Sequence, residues 1–257
     1  LSAKPRLGNK SPRIAEVSGG MLNSVGLQNP GAEYFIENEL PWLRQYDVKL
    51  IGNLCGSTIE DYVEVAEILG DKLDMFELNI SCPNVKEGGM AFGTNAKMVE
   101  EITQKVKAVS KVPLIVKLSP NVTDITEMAK AAEAGGADAL SLINTLLGMR
   151  IDIKTKRPVL NNNMGGLSGP CVKPVAVRMV YQVRQAVKLP IIGMGGIATG
   201  EDAIEFLLAG ADAVSVGTAG IVDPYAWIKV KNGINDYLDQ NGYNSVKDIV
   251  GKVELNG

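Results

Sequence analysis

The sequence predicts an α/β fold: apolar strands alternating with helices around a parallel sheet, the pattern of a (β/α)8 TIM barrel. Two observations predict it. Apolar runs of strand length recur between segments of helical period, and each run is apolar throughout rather than alternating. A strand buried on both faces reads this way, because helices cover each side of a parallel sheet.

In chain order the expected strands span residues 49–54, 75–81, 114–119, 139–145, 191–196 and 213–218. The helices expected between them span 59–69, 96–109, 125–134, 174–187 and 200–209. Two regions interrupt the alternation. Residues 1–48 hold Gly, Pro and Asn turns and a helical stretch over 32–46, with no strand expected. Residues 146–173 make a long connection between two strands, and a long structured excursion there is usually functional. Six strands are too few to close an eight-stranded barrel. Either the sheet is open and doubly wound, or the first two strand–helix units are lacking from this chain. The missing initiator Met and the loop-like first residues favour the second. No linker or low-complexity tract divides residues 1–257, so one domain is expected.

At 257 residues and 46% hydrophobic content the chain can bury a full core. The polar start, LSAKPRLGNK, carries no apolar signal-peptide region. No apolar run reaches the ~18–20 residues that span a bilayer. A net charge of -3 offers no basic face to nucleic acid or anionic lipid. A cytoplasmic protein handling small molecules is expected. Cys55, Cys82 and Cys171 form no CxxC pair and no even-numbered disulfide framework, so neither a metal site nor a cluster built from this chain is expected. Histidine is absent, which leaves proton chemistry to Cys, Asp, Glu, Lys or Tyr.

The segment NISCPN (79–84) ends an apolar strand in Asn79, Cys82 and Asn84. A turn with a buried cysteine and two Asn caps accounts for these residues. So does a cysteine base between neutral hydrogen-bond donors, since a free thiol titrates near ~8.5, within reach of neutral pH. Lys117 lies inside the apolar run LIVKLS; it either snorkels from the strand end or meets a buried anionic or electron-rich partner. Asn144-Thr145 closes another strand ahead of the long connection and is a weak signal alone. The last two strands end in Gly195-Gly196 and Gly217-Thr218, where backbone amides can approach a phosphate ahead of helix N-termini. Residues 193–198 also satisfy GxGxxA, the dinucleotide fingerprint. The acidic residue at the required separation, Asp212, would sit at the wrong end of its strand, so a Rossmann site is not expected. The loop NSVGLQNPG (23–31) reads alone as surface.

Taken together, NSVGLQNPG (23–31), NISCPN (79–84), IVKLSPN (115–121), INTLLGMRIDIKTKRPVL (143–160), GGLSGP (165–170), GMGGI (193–197) and SVGTA (215–219) resemble dihydroorotate dehydrogenase. The long connection over 146–173 resembles the NAD-linked branch in particular. The resemblance implies an FMN-carrying barrel in the cytoplasm that oxidises (S)-dihydroorotate to orotate in pyrimidine biosynthesis. It makes Cys82 the base that takes the C5 proton, with hydride passing from C6 to FMN. It places Asn23, Gly26, Leu27, Asn79, Asn84, Asn144 and Thr145 on the substrate. It places Asn53, Asn79, Lys117, Gly169, Gly195, Gly196, Gly217 and Thr218 on the flavin, with Lys117 at the N1/O2 edge. It further implies a homodimer of catalytic subunits, and a partner subunit carrying FAD and a [2Fe-2S] cluster that passes electrons to NAD. The membrane-associated branch uses a serine base, which Cys82 does not match. The family begins with two strand–helix units that supply a flavin-binding Ala/Ser-Gly loop and a lysine touching flavin and substrate. Neither is found here, and PRLGN (5–9) matches the family's sequence just after that lysine's strand, so the six strands correspond to strands three to eight.

Three other readings compete. One is a fumarate-using soluble branch or a dihydropyrimidine dehydrogenase-like module, which fits 143–160 less well. Another is a flavin-free sugar-phosphate isomerase or lyase barrel, which shares the glycine-rich loops but gives no reason for NISCPN or Lys117. The last is a non-catalytic fragment.

Overall fold

The computed structural model describes residues 1–80 and 92–256. Strands β1 (Ile14–Val17) and β2 (Gly20–Asn23) form a hairpin, followed by α1 (Ala32–Tyr34), a π-helical turn (Phe35–Glu39) and α2 (Leu40–Leu43). The strand–helix repeat then begins with β3 (Ile51–Leu54), α3 (Ile59–Leu69), β4 (Met75–Asn79), α4 (Ala96–Val109), β5 (Leu114–Lys117), α5 (Ile125–Ala134) and β6 (Ala139–Leu142). The long connection contains β7 (Leu146–Gly148), β8 (Ile151–Asp152), β9 (Arg157–Pro158), β10 (Gly165–Ser168) and a 3-10 turn (Pro170–Val172). The repeat resumes with α6 (Lys173–Ala186), β11 (Ile191–Met194), α7 (Gly200–Ala209) and β12 (Ala213–Ser215), and ends in α8 (Thr218–Val222) and α9 (Ala226–Asn241). The α/β class expected from the sequence is therefore present, with its strands and helices in the expected order.

The chain packs as two compact units, each built from several segments. The first comprises residues 1–10, 25–118 and 127–140. In it β3, β4 and β5 run parallel, Asn53 opposite Glu77 and Asn79 opposite Lys117. Side chains alternate along each strand, so one face of this sheet carries Leu54, Phe76, Leu78, Leu114 and Val116, all fully buried. Helix α3 starts where Thr58 and Asp61 form a reciprocal capping box, and it buries Tyr62, Val65, Ala66 and Leu69. Helix α4 packs on α3 and buries Val99, Ile102 and Val106, one apolar stripe at helical spacing.

The second unit comprises residues 11–24, 119–126 and 141–257. Its parallel pair sets β11 beside β12, with Gly193 opposite Val214. Its antiparallel sheet has the order β1-β2-β10-β7, in which Asn23 lies opposite both Ile14 and Gly166. Helix α7 starts on a second capping box (Thr199 with Asp202) and stops at Gly210, whose φ of +118° needs glycine. Helices α7 and α9 approach closely because two glycines face each other: a Cβ on Gly200 would fall 2.6 Å from the Gly233 Cα.

Several expectations needed correction. The hairpin of residues 14–23 was not expected, since its four-residue strands are half-exposed and β2 finds its outer partner in β10, far along the chain. The helical stretch expected over 32–46 is broken. Pro41 has no N–H to donate, and just upstream the Leu40 N–H reaches five residues back to Phe35, which makes the π turn. The parallel strands stop earlier than their apolar runs, at Lys117, Leu142, Met194 and Ser215. Past 218 the sequence suggested no element, yet α8 and α9 form there, α9 held by tertiary contact with α7 despite Gly233 in its middle.

Candidate active site

In the first unit, neighbouring strands deliver polar side chains to the face opposite the buried one. Asn53 of β3, Glu77 and Asn79 of β4, and Lys117 of β5 share that face by register and alternation. The Asn53 amide Nδ2 donates to Glu77 Oε1 at 2.6 Å, and the Asn79 Nδ2 donates to Asn53 Oδ1 at 3.2 Å. The Lys117 ammonium donates to the same Glu77 oxygen at 3.3 Å. Both ends of this ion pair are largely withdrawn from solvent, the Glu77 side chain 12% exposed and that of Lys117 20%. From behind, the Tyr62 hydroxyl donates to the Asn79 carbonyl at 2.7 Å and ties α3 to the strand end. The sequence pointed to an anionic partner for Lys117 but did not foresee a carboxylate on the next strand.

Gly26 and Leu27 lie on the loop of this unit that follows residue 24. Gly26 has φ +80° and abuts Asn9, so that an added Cβ would stand 2.8 Å from the Asn9 backbone nitrogen. Leu27 is a non-glycine residue with φ +58°, a conformation costing roughly 1–2 kcal/mol. The Asn29 side chain holds it, donating to the Leu27 carbonyl at 2.9 Å and accepting the Gly31 N–H at 3.0 Å. Such strain persists where surrounding contacts over-determine it, often beside a ligand.

In the second unit, Asn23 ends β2 beside β10. Thr145 packs on Gly166 of β10, where an added Cβ would fall 2.1 Å from the threonine hydroxyl. The Asn144 Oδ1 accepts the Thr145 N–H at 2.8 Å. Asn121 braces the same turn: its Nδ2 donates to the Thr145 carbonyl at 3.0 Å, and its Oδ1 accepts the Leu147 N–H at 2.8 Å. The Ile143 N–H donates to the Met194 carbonyl at 2.9 Å, and Gly195 (φ +119°) packs on Ile143. Gly196 (φ +92°) fits between the Lys173 backbone and the Gly169 carbonyl. The Thr218 hydroxyl donates to Ser168 Oγ at 2.8 Å, and a Cβ on Gly217 would meet nothing within 4 Å.

Asp202 ties this glycine-rich region together. One carboxylate oxygen accepts the Ala198 and Thr199 N–H groups, both at 2.9 Å, and the other accepts Lys173 at 2.6 Å. Burial alone would raise the Asp202 carboxyl, but the bonds from Lys173, Ala198 and Thr199 outweigh it and hold the group below the usual carboxylate range. Lys173 is correspondingly raised, by hydrogen bonds to Asp202 and Glu205.

The dihydroorotate dehydrogenase family model matches residues 1–238. The chain belongs to the dihydroorotate dehydrogenase family. It is 63% identical over 254 residues to a protein of Alkaliphilus oremlandii named dihydroorotate dehydrogenase B (NAD(+)), catalytic subunit, covering 98% of this chain and 84% of that one. Proteins of the same name are 58% identical in Lachnoclostridium phytofermentans, covering 99% and 85%, and 57% identical in Geobacillus kaustophilus, covering 97% and 80%.

For a dihydroorotate dehydrogenase, the structure thus gathers Asn53, Asn79 and Lys117 in one cluster. It gathers Asn144, Thr145, Gly169, Gly195 and Gly196 in another, with Thr218 bonded to Ser168 beside Gly169. Cys82 and Asn84 lie outside the described residues. Four residues with structural claims on these clusters, Glu77, Asn121, Lys173 and Asp202, go beyond the sequence expectation. Glu77 carried a signal, a carboxylate inside an apolar strand two residues before Asn79. Asn121 stood within the quoted IVKLSPN segment but was assigned nothing. The Lys173–Asp202 contact joins residues 29 positions apart and had no local signature. Among the described residues no helix is long and apolar enough to cross a membrane. No group of three or more His, Cys, Asp or Glu among them is placed to hold a metal ion.

The residues present fit a flavin phosphate. Gly195 and Gly196 turn with positive φ, and the space beside Gly217 would admit more than hydrogen. Asp202 already engages the amides of Ala198 and Thr199, so a phosphate held here would rely on amides nearer the strand end.

Proposed function

We propose that this chain is the catalytic subunit of an NAD-linked dihydroorotate dehydrogenase, oxidising (S)-dihydroorotate to orotate in the cytoplasm. The observation that carries the proposal is the convergence of Asn53, Glu77, Asn79 and Lys117 on one sheet face in a chain of this family. The names of the relatives favour NAD as final acceptor over fumarate. They also speak of a catalytic subunit, which supports an accessory subunit; FAD and a [2Fe-2S] cluster on that subunit would connect the chain to NAD. A homodimer of catalytic subunits, each a single barrel domain, completes the reading.

FMN, when bound, supplies a two-electron acceptor for the hydride leaving C6 of dihydroorotate. The chain does the rest. Cys82 takes the C5 proton, a thiol suited to the task because its unperturbed pKa of ~8.5 is close to neutral. Asn23, Asn79, Asn84 and Asn144 donate to the carbonyl and carboxylate oxygens of the substrate, with Thr145 and the backbone of Gly26 and Leu27 beside them. Lys117 sets a positive charge at the flavin edge where negative charge gathers on reduction. Asn53 and Asn79 border the ring system, and Gly169, Gly195, Gly196, Gly217 and Thr218 cradle the phosphate.

The test is the visible spectrum of the purified protein before and after anaerobic dihydroorotate. A flavin band near ~450 nm that bleaches on addition supports cofactor, substrate and hydride transfer together. A protein that binds no FMN, or binds it and does not bleach, refutes the reading. Efficient turnover of the lone chain with fumarate would refute the NAD-linked part.

A further inference from the structure

We infer that Glu77 is a positioning residue that offsets the charge of Lys117 and holds the flavin potential below the value an unopposed lysine would set. The inference rests on the proposed reading that Lys117 borders the flavin. One Glu77 oxygen accepts from both Asn53 at 2.6 Å and Lys117 at 3.3 Å, so a single carboxylate fixes two groups of the proposed cofactor site. Glu77 cannot be a solvated surface acid. Its side chain is 12% exposed, and it lies two residues before Asn79 on the same face.

A carboxylate kept from water is expensive unless its charge is met, and Lys117 meets it. The same proximity works in reverse. A cation near the flavin edge favours the more negative, reduced form, and an anion beside that cation subtracts from its field. Glu77 therefore does for Lys117 what neither Asn53 nor Asn79, both neutral, can do. It leaves the lysine correctly placed but partly neutralised. Replacing Glu77 with Gln keeps the shape and an acceptor for Asn53 while deleting the charge. Replacing it with Asp keeps the charge on a shorter stem.

The experiment measures the FMN midpoint potential of the flavin-loaded protein against a reference dye, for wild type, Glu77→Gln, Glu77→Asp, Lys117→Met and the Glu77→Gln/Lys117→Met double variant. Glu77→Gln is expected to raise the reduced-to-oxidised ratio at a fixed poise about tenfold, which is ~30 mV for a two-electron couple. Lys117→Met is expected to lower it. In the Lys117→Met background Glu77→Gln is expected to raise the potential again, because the fields of the two charges at the flavin add. Glu77→Asp stays near wild type and guards against a folding defect in the Gln variant. An unchanged or lower potential in Glu77→Gln, with or without Lys117, overturns the inference. If Lys117→Met leaves both potential and FMN affinity untouched, the placement of Lys117 at the flavin is what fails, and the inference falls with it.

Discussion

Two glycines of the proposed phosphate cradle should respond to alanine in opposite ways. At Gly196 the new Cβ would stand 2.8 Å from the Lys173 Cβ, 2.9 Å from the Lys173 nitrogen and 3.0 Å from the Gly169 carbonyl oxygen. Two of these neighbours are backbone atoms and cannot swing aside. Forcing such overlap costs about 1–3 kcal/mol, and holding a non-glycine residue at φ +92° adds roughly 1–2 kcal/mol. Gly196→Ala should therefore lose about 2–5 kcal/mol, a large share of a typical ~5–15 kcal/mol of stability. At Gly217 the added methyl meets nothing within 4 Å and φ is -105°, so the stability cost should stay within ~0.5 kcal/mol. The methyl would instead occupy space assigned to the phosphate. Urea denaturation of the flavin-free protein reads the first effect as a fall in midpoint at unchanged slope. A fluorescence titration with FMN reads the second as weakened binding. Equal stability of the two variants would refute the packing argument. A Gly217→Ala protein that binds FMN as wild type does would remove Gly217 from the cradle.

Cys82→Ser should retain flavin yet slow its reduction by dihydroorotate about 10²–10⁴-fold near neutral pH, the usual worth of a general base; unchanged stopped-flow kinetics would strip Cys82 of that role. Asp202→Asn should lower stability by about 1–2 kcal/mol, read from urea denaturation, and the deficit should depend on pH. The wild-type carboxyl is depressed, so its contribution is present above the ordinary carboxylate value near ~4 and is lost as pH falls through the lowered one. Lys173 is raised, so its contribution holds below the ordinary lysine value of ~10.4 and is lost at higher pH. The deficit should accordingly be widest between about pH 5 and 9, and a flat profile would count against the pair. Asn121→Ala, which releases the Thr145 carbonyl and the Leu147 N–H, should raise KM for dihydroorotate more than it lowers kcat, at a stability cost of about 1 kcal/mol; an unchanged KM would show that the turn holds without Asn121.

What was legible in the sequence was what local period encodes. The helices over 59–69, 96–109, 125–134 and 200–209 have the expected bounds, because each carries one buried stripe between polar or glycine ends. The parallel strands were found by their apolar runs but drawn too long. Composition does not mark where the ladder stops, since the apolar runs continue past Lys117, Leu142, Met194 and Ser215, where the strands end. The β1–β2 hairpin was not legible, because β2 pairs with β10 across more than a hundred residues. Asn79 and Asn144 stood out as polar residues ending apolar runs and Lys117 as a lysine inside one, whereas Asn53 was marked only by the family resemblance. Glu77 sits inside its strand like Lys117, but a carboxylate there has no local signature of the lysine it meets on β5. Lys173 and Asp202 each look ordinary alone; only the fold brings α6 and α7 together.

The first unit's sheet shows why these polar groups point to chemistry rather than to stability. On one face, Leu54, Phe76, Leu78, Leu114 and Val116 are fully buried and supply the hydrophobic driving force. On the other, Asn53, Glu77, Asn79 and Lys117 occupy the alternate positions of the same strands. An apolar set of similar volume there would fold at least as well, because desolvating an ion pair commonly costs as much as the pairing returns. Nothing in the packing of α3, α4 or the buried face requires a carboxylate at 77 or an ammonium at 117. The fold carries them at a cost, which under the proposed function the binding of a flavin and an anionic substrate would offset. On this argument the double replacement of Glu77 and Lys117 by apolar residues should leave a folded protein, stable but unable to turn over.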